Sequence, residues 1–112
     1  CLGTYAGDAI AAGTSNTCVG YSADCAAASV NRTVIGYNAD GQANNSVTLG
    51  NSDVTAVYMA EDSGATVHCT SVTIKETTEP SALADHGKIY TKNDNKLYFQ
   101  DGAGSEHEIS FA

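Results

Sequence analysis

Four cysteines are the residues of this chain with the most obvious chemistry. Cys1, Cys18, Cys25 and Cys69 include no Cys-x-x-Cys pair, so the spacing of a zinc ribbon is absent. Cys18 and Cys25 lie on opposite strands of a repeat about 14 residues long. Facing sheets are about 10 Å apart, which exceeds the usual Cα separation of a disulfide. We therefore expect both to be small buried apolar residues, unless the repeat is pinched there and lets them bond. A bridge from Cys1 or Cys69 also stays open for a chain that matures outside a reducing cytosol.

Two pairs of side chains could be imagined as catalytic groups. His68 and Cys69 are a base and a nucleophile, but neighbours on one strand point to opposite faces. Glu106 and Glu108 share a strand face, but a glycosidase pair must flank a sugar across a cleft, and this short chain lacks the walls. Solvated charges that deter stray strand pairing explain the two glutamates better. We predict no enzymatic activity and no catalytic residue.

Three aspartates and two tyrosines recur with the repeat. Asp24, Asp40 and Asp53 supply one carboxylate per copy, too few for calcium, so we expect them to cap turns and predict no metal and no cofactor. Tyr21 and Tyr37 directly follow repeat glycines. They could contact a glycan, or they could form a packing ladder that covers the repeats.

These residues must be positioned by three copies of one short sequence repeat. The copies are Asn16–Asp24, Arg32–Asp40 and Asn45–Asp53, and their glycines Gly20, Gly36 and Gly50 are 16 and 14 residues apart. Each copy has β-prone residues, a glycine, turn formers and an Asp. Such a short period is typical of a solenoid, in which each unit buries its face against the next. The alternative is an ordinary antiparallel meander.

The core is expected from the apolar positions of the repeat and of the C-terminal strands. Small residues should fill a narrow interior, and candidates are Ala23, Ala26 to Ala28, Ala39 and Ala43. The residues expected to form the roll core and the oligomer core are Val19, Val34, Ile35, Val47, Leu49, Leu97 and Phe99.

The whole chain is predicted to divide into three regions. Residues 1–64 are predicted as the β-roll region, including a degenerate first copy over Asp8–Ser15 with Gly13 at its turn. Residues 65–81 are predicted as a strand and a linker, with the linker at Glu76–Ser81, and residues 82–112 as a β-meander.

Further strands are expected at Val54–Met59, Ala65–Lys75, Lys88–Lys92, Lys96–Gln100 and Glu106–Phe111. In the last three, Ile89, Leu97, Phe99, Ile109 and Phe111 are expected to form one apolar face. The predicted fold is all-β: a short β-roll or solenoid followed by a three-stranded antiparallel meander, in an intertwined homotrimer.

Composition favours partners identical to the chain itself. Leu, Ile, Val and Phe make up 19 of the 112 residues, and the net charge is −8. A chain this short of bulky apolar residues is expected to share its core with identical subunits. Thirteen acidic residues against five basic ones exclude a phosphate-binding patch, so no nucleic acid is expected, and no apolar run is long enough to insert in a membrane. Because the first residue is not Met, we expect a processed chain or a fragment.

Two stretches resemble known families. The phrases Asn-Thr-Cys-Val-Gly-Tyr-Ser-Ala-Asp and Ser-Val-Thr-Leu-Gly-Asn-Ser resemble the left-handed β-roll repeats of trimeric autotransporter adhesin heads, which also recur in bacteriophage fibres. The stretch Ala82–Gly104 resembles a module of structural and tail-fibre proteins of tailed phages. The resemblance implies a trimeric, nonenzymatic subunit of a phage fibre or surface appendage. It also implies a place on the virion surface, contacts with other virion or appendage proteins, and attachment to a host-surface glycan. A bacterial adhesin or filament subunit and the non-catalytic part of a tailspike depolymerase are the alternatives.

Overall fold

The computed structural model of the chain describes residues 1–110. Six short strands form two three-stranded sheets, and the described range contains no helix, so the predicted all-β class is confirmed. The chain forms two compact units, Cys1–Thr66 and Val67–Ala112, each of which contains one sheet.

The first sheet is parallel and is built from the three repeats. Its strands are β1 (Thr17–Val19), β2 (Arg32–Ile35) and β3 (Ser46–Leu49), paired in that order. Equivalent residues of the copies lie opposite one another, with Val19 beside Ile35 and Ile35 beside Leu49. The parallel pairing is incompatible with an antiparallel meander in this part of the chain, so that alternative is wrong.

The chain before β1 stacks on the sheet as a further copy. Leu2 forms a parallel bridge with Val19, and Thr14 forms one with Val30. A third bridge joins Asp24 to Asp40, which lie beyond the turns of the first two repeats. The stack therefore has bridges on both sides of the turn that carries the repeat glycine.

A column of glycines forms this turn. Gly3, Gly20 and Gly36 have φ of 131°, 131° and 135°, a region that L-residues with side chains avoid. A Cβ built on Gly3 would lie 2.5 Å from the carbonyl oxygen of Gly20, and one on Gly20 would lie 2.5 Å from that of Gly36. The turn glycine of the first copy is thus Gly3, and the prediction of Gly13 is wrong because Gly13 lies on the other side of the copy.

Small residues fill the interior of the stack. The fully buried apolar residues are Cys18, Ala23, Cys25, Val34 and Ala39. The expectation for Ala23 and Ala39 is confirmed, whereas Ala26 to Ala28 and Ala43 are exposed. The interval from Asp24 to Asn31 is two residues longer than that from Asp40 to Asn45, and the extra length carries the three alanines out to solvent.

Cys18 and Cys25 form a disulfide, which corrects the prediction of two unbonded thiols. Both are fully buried, as expected, but their Cα atoms are only 6.8 Å apart. The interior here is much narrower than the 10 Å between ordinary facing sheets, because only small side chains separate its walls. Cys1 and Cys69 are exposed and free within the described residues.

Arg32 ties neighbouring copies together. Its Nη1 donates hydrogen bonds to the carbonyl oxygens of Cys25 (3.0 Å) and Gly41 (2.9 Å), and its Nε donates to Asn44 Oδ1 (3.0 Å). The planar guanidinium suits several acceptors in fixed directions. The only basic residue before Lys75 therefore has a structural role.

The second sheet is an antiparallel meander, as predicted. Its strands are β4 (Lys88–Thr91), β5 (Leu97–Gln100) and β6 (Glu106–Ile109). In the second turn the Asp101 carboxylate accepts hydrogen bonds from the backbone N–H groups of Ala103 and Ser105. The predicted end of β6 at Phe111 lies outside the described residues.

The strands predicted at Val54–Met59 and Ala65–Lys75 are absent from the structure. Both segments alternate as strands do, but within residues 1–110 neither lies in a ladder, and a strand needs such a partner for its backbone groups. The segment predicted as a linker contacts the meander, since Thr77 N–H donates to Thr91 O and Gln100 Nε2 donates to Pro80 O.

We predict that the disulfide contributes about 2–3 kcal/mol to the free energy of unfolding, the value expected for closing a short loop. In the double variant Cys18→Ala/Cys25→Ala, or in the chain in reductant, the free energy of unfolding should be lower by that amount, and the urea midpoint should fall accordingly. The double variant Cys1→Ser/Cys69→Ser is the matched control and should be unaffected. Equal unfolding midpoints with and without reductant would contradict this.

We also predict that Arg32→Lys lowers the free energy of unfolding by about 2 kcal/mol, because the ammonium cannot reach all three acceptors. Urea titration followed by circular dichroism measures the loss. Lys75→Arg, at an exposed position, is the control and should leave the midpoint unchanged. A midpoint for Arg32→Lys equal to that of the parent chain would show that the three contacts carry no net stability.

Candidate functional site

The outer face of the parallel sheet carries an apolar column. Val19, Ile35 and Leu49 lie opposite one another on adjacent strands, and Leu2 bridges to Val19 at one end. Val19 is half-buried, whereas Leu2, Ile35 and Leu49 are 71%, 42% and 45% exposed. The column is continuous across the four copies and faces solvent in the single chain.

The other predicted core residues of this sheet divide between its two faces. Val34 points inward beside Cys18 and is fully buried. Val47 lies on the outer face beside Thr33 and is 65% exposed. Strand alternation thus places one predicted residue in the interior and four on the surface.

The meander also exposes its apolar face. Ile89 and Phe99 are paired, as are Leu97 and Ile109, and alternation places all four on the face predicted for them. Ile89 is 60% exposed and Phe99 37% exposed, while Leu97 and Ile109 are half-buried. A groove of about 580 Å³ on this face is lined by Val72, Ile74, Ile89, Thr91 and Leu97.

The opposite face of the meander is closed by tyrosines and charged groups. Tyr90 and Tyr98 are buried, and their rings stack with centroids 5.8 Å apart. Tyr90 OH donates to Glu106 Oε2 (2.5 Å), which also pairs through Oε1 with Lys92 Nζ (2.7 Å). Lys92 Nζ lies 3.9 Å from the ring centroid of Tyr98, a cation–π contact. The side chains of this polar face therefore pack against one another within the chain.

These contacts shift the pKa values of the groups involved. The hydrogen bond from Lys92, with that from Tyr90, holds the pKa of Glu106 below its ordinary value, and the same bond raises the pKa of Lys92. Burial, then the bond to Glu106, raises the pKa of Tyr90 far above 10.0. The hydrogen bond from Tyr98 OH lowers the pKa of Asp94 and raises that of Tyr98.

Glu106 and Glu108 share one face of β6, as expected, but are not simply solvated charges. Glu106 is half-buried and bonded to two partners. Glu108 Oε2 accepts a hydrogen bond from Lys96 Nζ at 2.9 Å. Both carboxylates pair with lysines of neighbouring strands or turns, and this corrects the earlier interpretation.

A ladder of tyrosines runs along the outside of the repeats. Tyr21 and Tyr37 stack with ring centroids 5.8 Å apart and an interplanar angle of 18°. Tyr5 meets Tyr21 edge-on, also at 5.8 Å. All three rings are at least half exposed. The two tyrosines considered from the sequence are brought together, and Tyr5 was missed because the turn of the first copy was placed at Gly13 instead of Gly3.

A polar groove of about 580 Å³ lies beside the end of this ladder. Its lining includes Tyr37, Asn38, Asp40, Gln42, Asn51 and Asp53. Asn51 Oδ1 accepts from the backbone N–H of Asp53 at 3.1 Å, so the turn that closes the last copy holds one wall of the groove.

The residues considered for catalysis or metal binding in the repeats and the following segment are His68, Cys69 and the recurring aspartates. His68 and Cys69 are both exposed. No group of three or more His, Cys, Asp or Glu residues in the described part of the chain could hold a metal ion. Nor does any helix in that part have the length and hydropathy to cross a bilayer. The recurring aspartates follow their turns, where Asp24 Oδ1 accepts from the backbone N–H of Cys25 at 2.7 Å.

We predict that the stability of the meander is greatest near neutral pH. The pKa of Glu106 is lower in the folded chain than the ordinary 4.5, so its contribution is present above pH 4.5 and is lost as the pH falls through the folded value. The pKa of Tyr90 is raised above 10.0, so its contribution is present below pH 10.0 and is lost as the pH rises further.

Urea unfolding followed by tyrosine near-ultraviolet circular dichroism at successive pH values measures both limbs. Glu106→Gln should reduce the slope of the acid limb, while Glu61→Gln, at an exposed position in the other unit, should leave it unchanged. An acid limb of equal slope in both variants would contradict the assigned role of Glu106.

Comparison with known proteins gives no relative from which a role could be transferred. No protein-family model matches the chain, and neither a curated protein nor a solved structure is significantly similar to it.

Proposed function

We propose that the chain is a nonenzymatic structural subunit of a homotrimeric fibre or surface appendage of a virus, a bacteriophage in particular. In this proposal the stacked copies form a short β-roll, and the apolar faces of both sheets pack against identical subunits around a threefold axis. The assembly would join other virion or appendage proteins and would contribute to attachment to host-surface glycans.

The observation that carries the proposal is the exposed apolar column of the parallel sheet. A soluble monomer rarely exposes a continuous apolar surface of this kind, and such surfaces mark sites of association. Each copy contributes one side chain, so the column extends along the whole stack. It therefore suits a partner that lies parallel to the stack. Copies of the same chain satisfy this requirement through closed symmetry.

The exposed face of the meander supports the same conclusion. The chain buries Tyr90 and Tyr98 on one face and leaves Ile89 and Phe99 on the other 60% and 37% exposed. Val72 and Ile74 on the segment before the meander are 71% and 37% exposed. A chain with so little buried core gains most from covering these side chains with another subunit.

The disulfide, the net charge and the family resemblance also agree with the proposal. Disulfides persist mainly in extracellular and virion-surface proteins, and this one is buried in the stack. The net charge of −8 favours solubility and disfavours binding to nucleic acid. The resemblance of the repeats and of residues 82–104 to fibre proteins supports the trimer and the virion.

The proposal predicts a trimer that depends on the apolar column. Ile35→Asp should dissociate it, because three carboxylates would be brought together in an apolar contact around the axis. Val30→Asp is the matched control: Val30 is also 42% exposed but lies outside the column, and its variant should remain trimeric. Native mass spectrometry and light scattering measure the subunit number.

Leu49→Asp, on the edge strand of the sheet, is a second variant for the case in which Ile35→Asp does not fold. Circular dichroism confirms that each variant retains its strands. A parent chain that is a stable folded monomer at micromolar concentration, or an Ile35→Asp chain that stays trimeric, would contradict the proposal.

A further inference from the structure

The tyrosine ladder ends with an uncovered ring. In the first two repeats the residue after the turn glycine is tyrosine, and in the third it is Asn51. Tyr21 is flanked by a ring on each side and is 50% exposed, whereas Tyr37 has a ring on one side and is 67% exposed. The short side chain that replaces the next tyrosine leaves the outer face of Tyr37 open.

The space left by that replacement is the polar groove defined above. Hydrogen-bonding side chains from two successive turns converge there: Asn38, Asp40 and Gln42 from one, and Asn51, Ser52 and Asp53 from the next. Its volume, about 580 Å³, is in the range of small-molecule sites. Gln42 is positioned by a bond from its Nε2 to the backbone oxygen of Asp40 (2.9 Å), which leaves its side-chain oxygen as an acceptor.

We propose that this groove binds a pyranose unit of an uncharged oligosaccharide, with its C–H face on the ring of Tyr37. An aromatic plane suits the apolar face of a sugar, while amide and carboxylate groups bond to hydroxyls at its rim. Asp40 and Asp53 line the groove in a chain of net charge −8, so sugars with carboxylate, sulfate or phosphate groups are repelled.

This proposal rests on the proposed function for its biological role, since a surface appendage must meet host glycans. Its geometry does not depend on the trimer, because one chain supplies every lining residue. Both alternatives considered for the tyrosines then apply: Tyr37 stacks on the sugar, and Tyr21 packs against the other face of Tyr37.

The test is binding of the intact chain to a panel of neutral hexose and N-acetylhexosamine oligosaccharides, beside a panel with carboxylate or sulfate groups. Calorimetry and tyrosine fluorescence measure the affinity, and native mass spectrometry records the subunit number of the same sample. We expect binding to members of the neutral panel only. Tyr37→Ala should weaken it by up to about tenfold, the upper end of the value of one lost aromatic contact.

Asn51→Tyr extends the ladder over Tyr37 and fills the groove, so it should also abolish binding. Tyr5→Ala, at the far end of the ladder, is the matched control and should bind as the parent does. Asp40→Asn should admit anionic sugars that the parent rejects. Circular dichroism verifies the fold of each variant.

The proposal is overturned by the absence of binding to the neutral panel, by preferential binding of anionic sugars, or by binding that Tyr37→Ala and Asn51→Tyr leave unchanged. A monomer that binds neutral sugars would contradict the trimer and keep the groove. A trimer that binds no neutral sugar would support the trimer and contradict the groove. A trimer in which the neighbouring subunit covers Tyr37 would also contradict the groove.

Discussion

Backbone hydrogen bonds between successive copies set the register of the first sheet, and this register decides where every side chain of the repeat points. The N–H groups of Gly20, Gly36 and Gly50 donate to the carbonyl oxygens of Leu2, Val19 and Ile35 at 2.8, 2.9 and 2.7 Å. With the glycines fixed in one column, the residue before each must face outward and the one before that must face inward. The inner positions hold Cys18, Val34 and Thr48, and the interior can be only as wide as these side chains allow.

The two sheets are both packed with few large apolar side chains, but in different ways. In the stack, a disulfide, two alanines and Val34 fill a thin interior, and Ile35 and Leu49 lie outside. In the meander, tyrosine rings and their ion-paired partners close the polar face, and isoleucine and phenylalanine occupy the open one. In both, the larger apolar groups remain available for contacts beyond the chain.

Much of this arrangement could be predicted from the sequence, because it depends on local periodicity. The repeat glycines predicted that equivalent residues would align, and the alternation in the last strands predicted which face Ile89 and Phe99 share. Other features depend on distances between segments, which spacing does not specify. The bridge between Cys18 and Cys25 depends on how closely the walls approach, and the contacts of Arg32 depend on carbonyl groups that any residue type could offer.

Strand predictions were wrong where an alternating segment had no neighbouring strand to pair with. Val54–Met59 alternates as a strand would, but an alternating segment becomes a strand only where a neighbour supplies hydrogen bonds. Tyr5 and the groove beside Tyr37 were missed for another reason. The first copy differs in length from the others, and the groove exists because of a tyrosine that the third copy lacks.

The unequal length of the copies has one more consequence. The two additional residues between Asp24 and Asn31 are accommodated in a corner whose three alanines, Ala26 to Ala28, are exposed, while the glycine column and the strands on either side keep their alignment. Chain length at this corner is thus decoupled from the geometry of the scaffold. Such a corner can vary in size and composition as long as Ala27 O keeps the hydrogen bonds that it accepts from the N–H groups of Ala11 and Ala12.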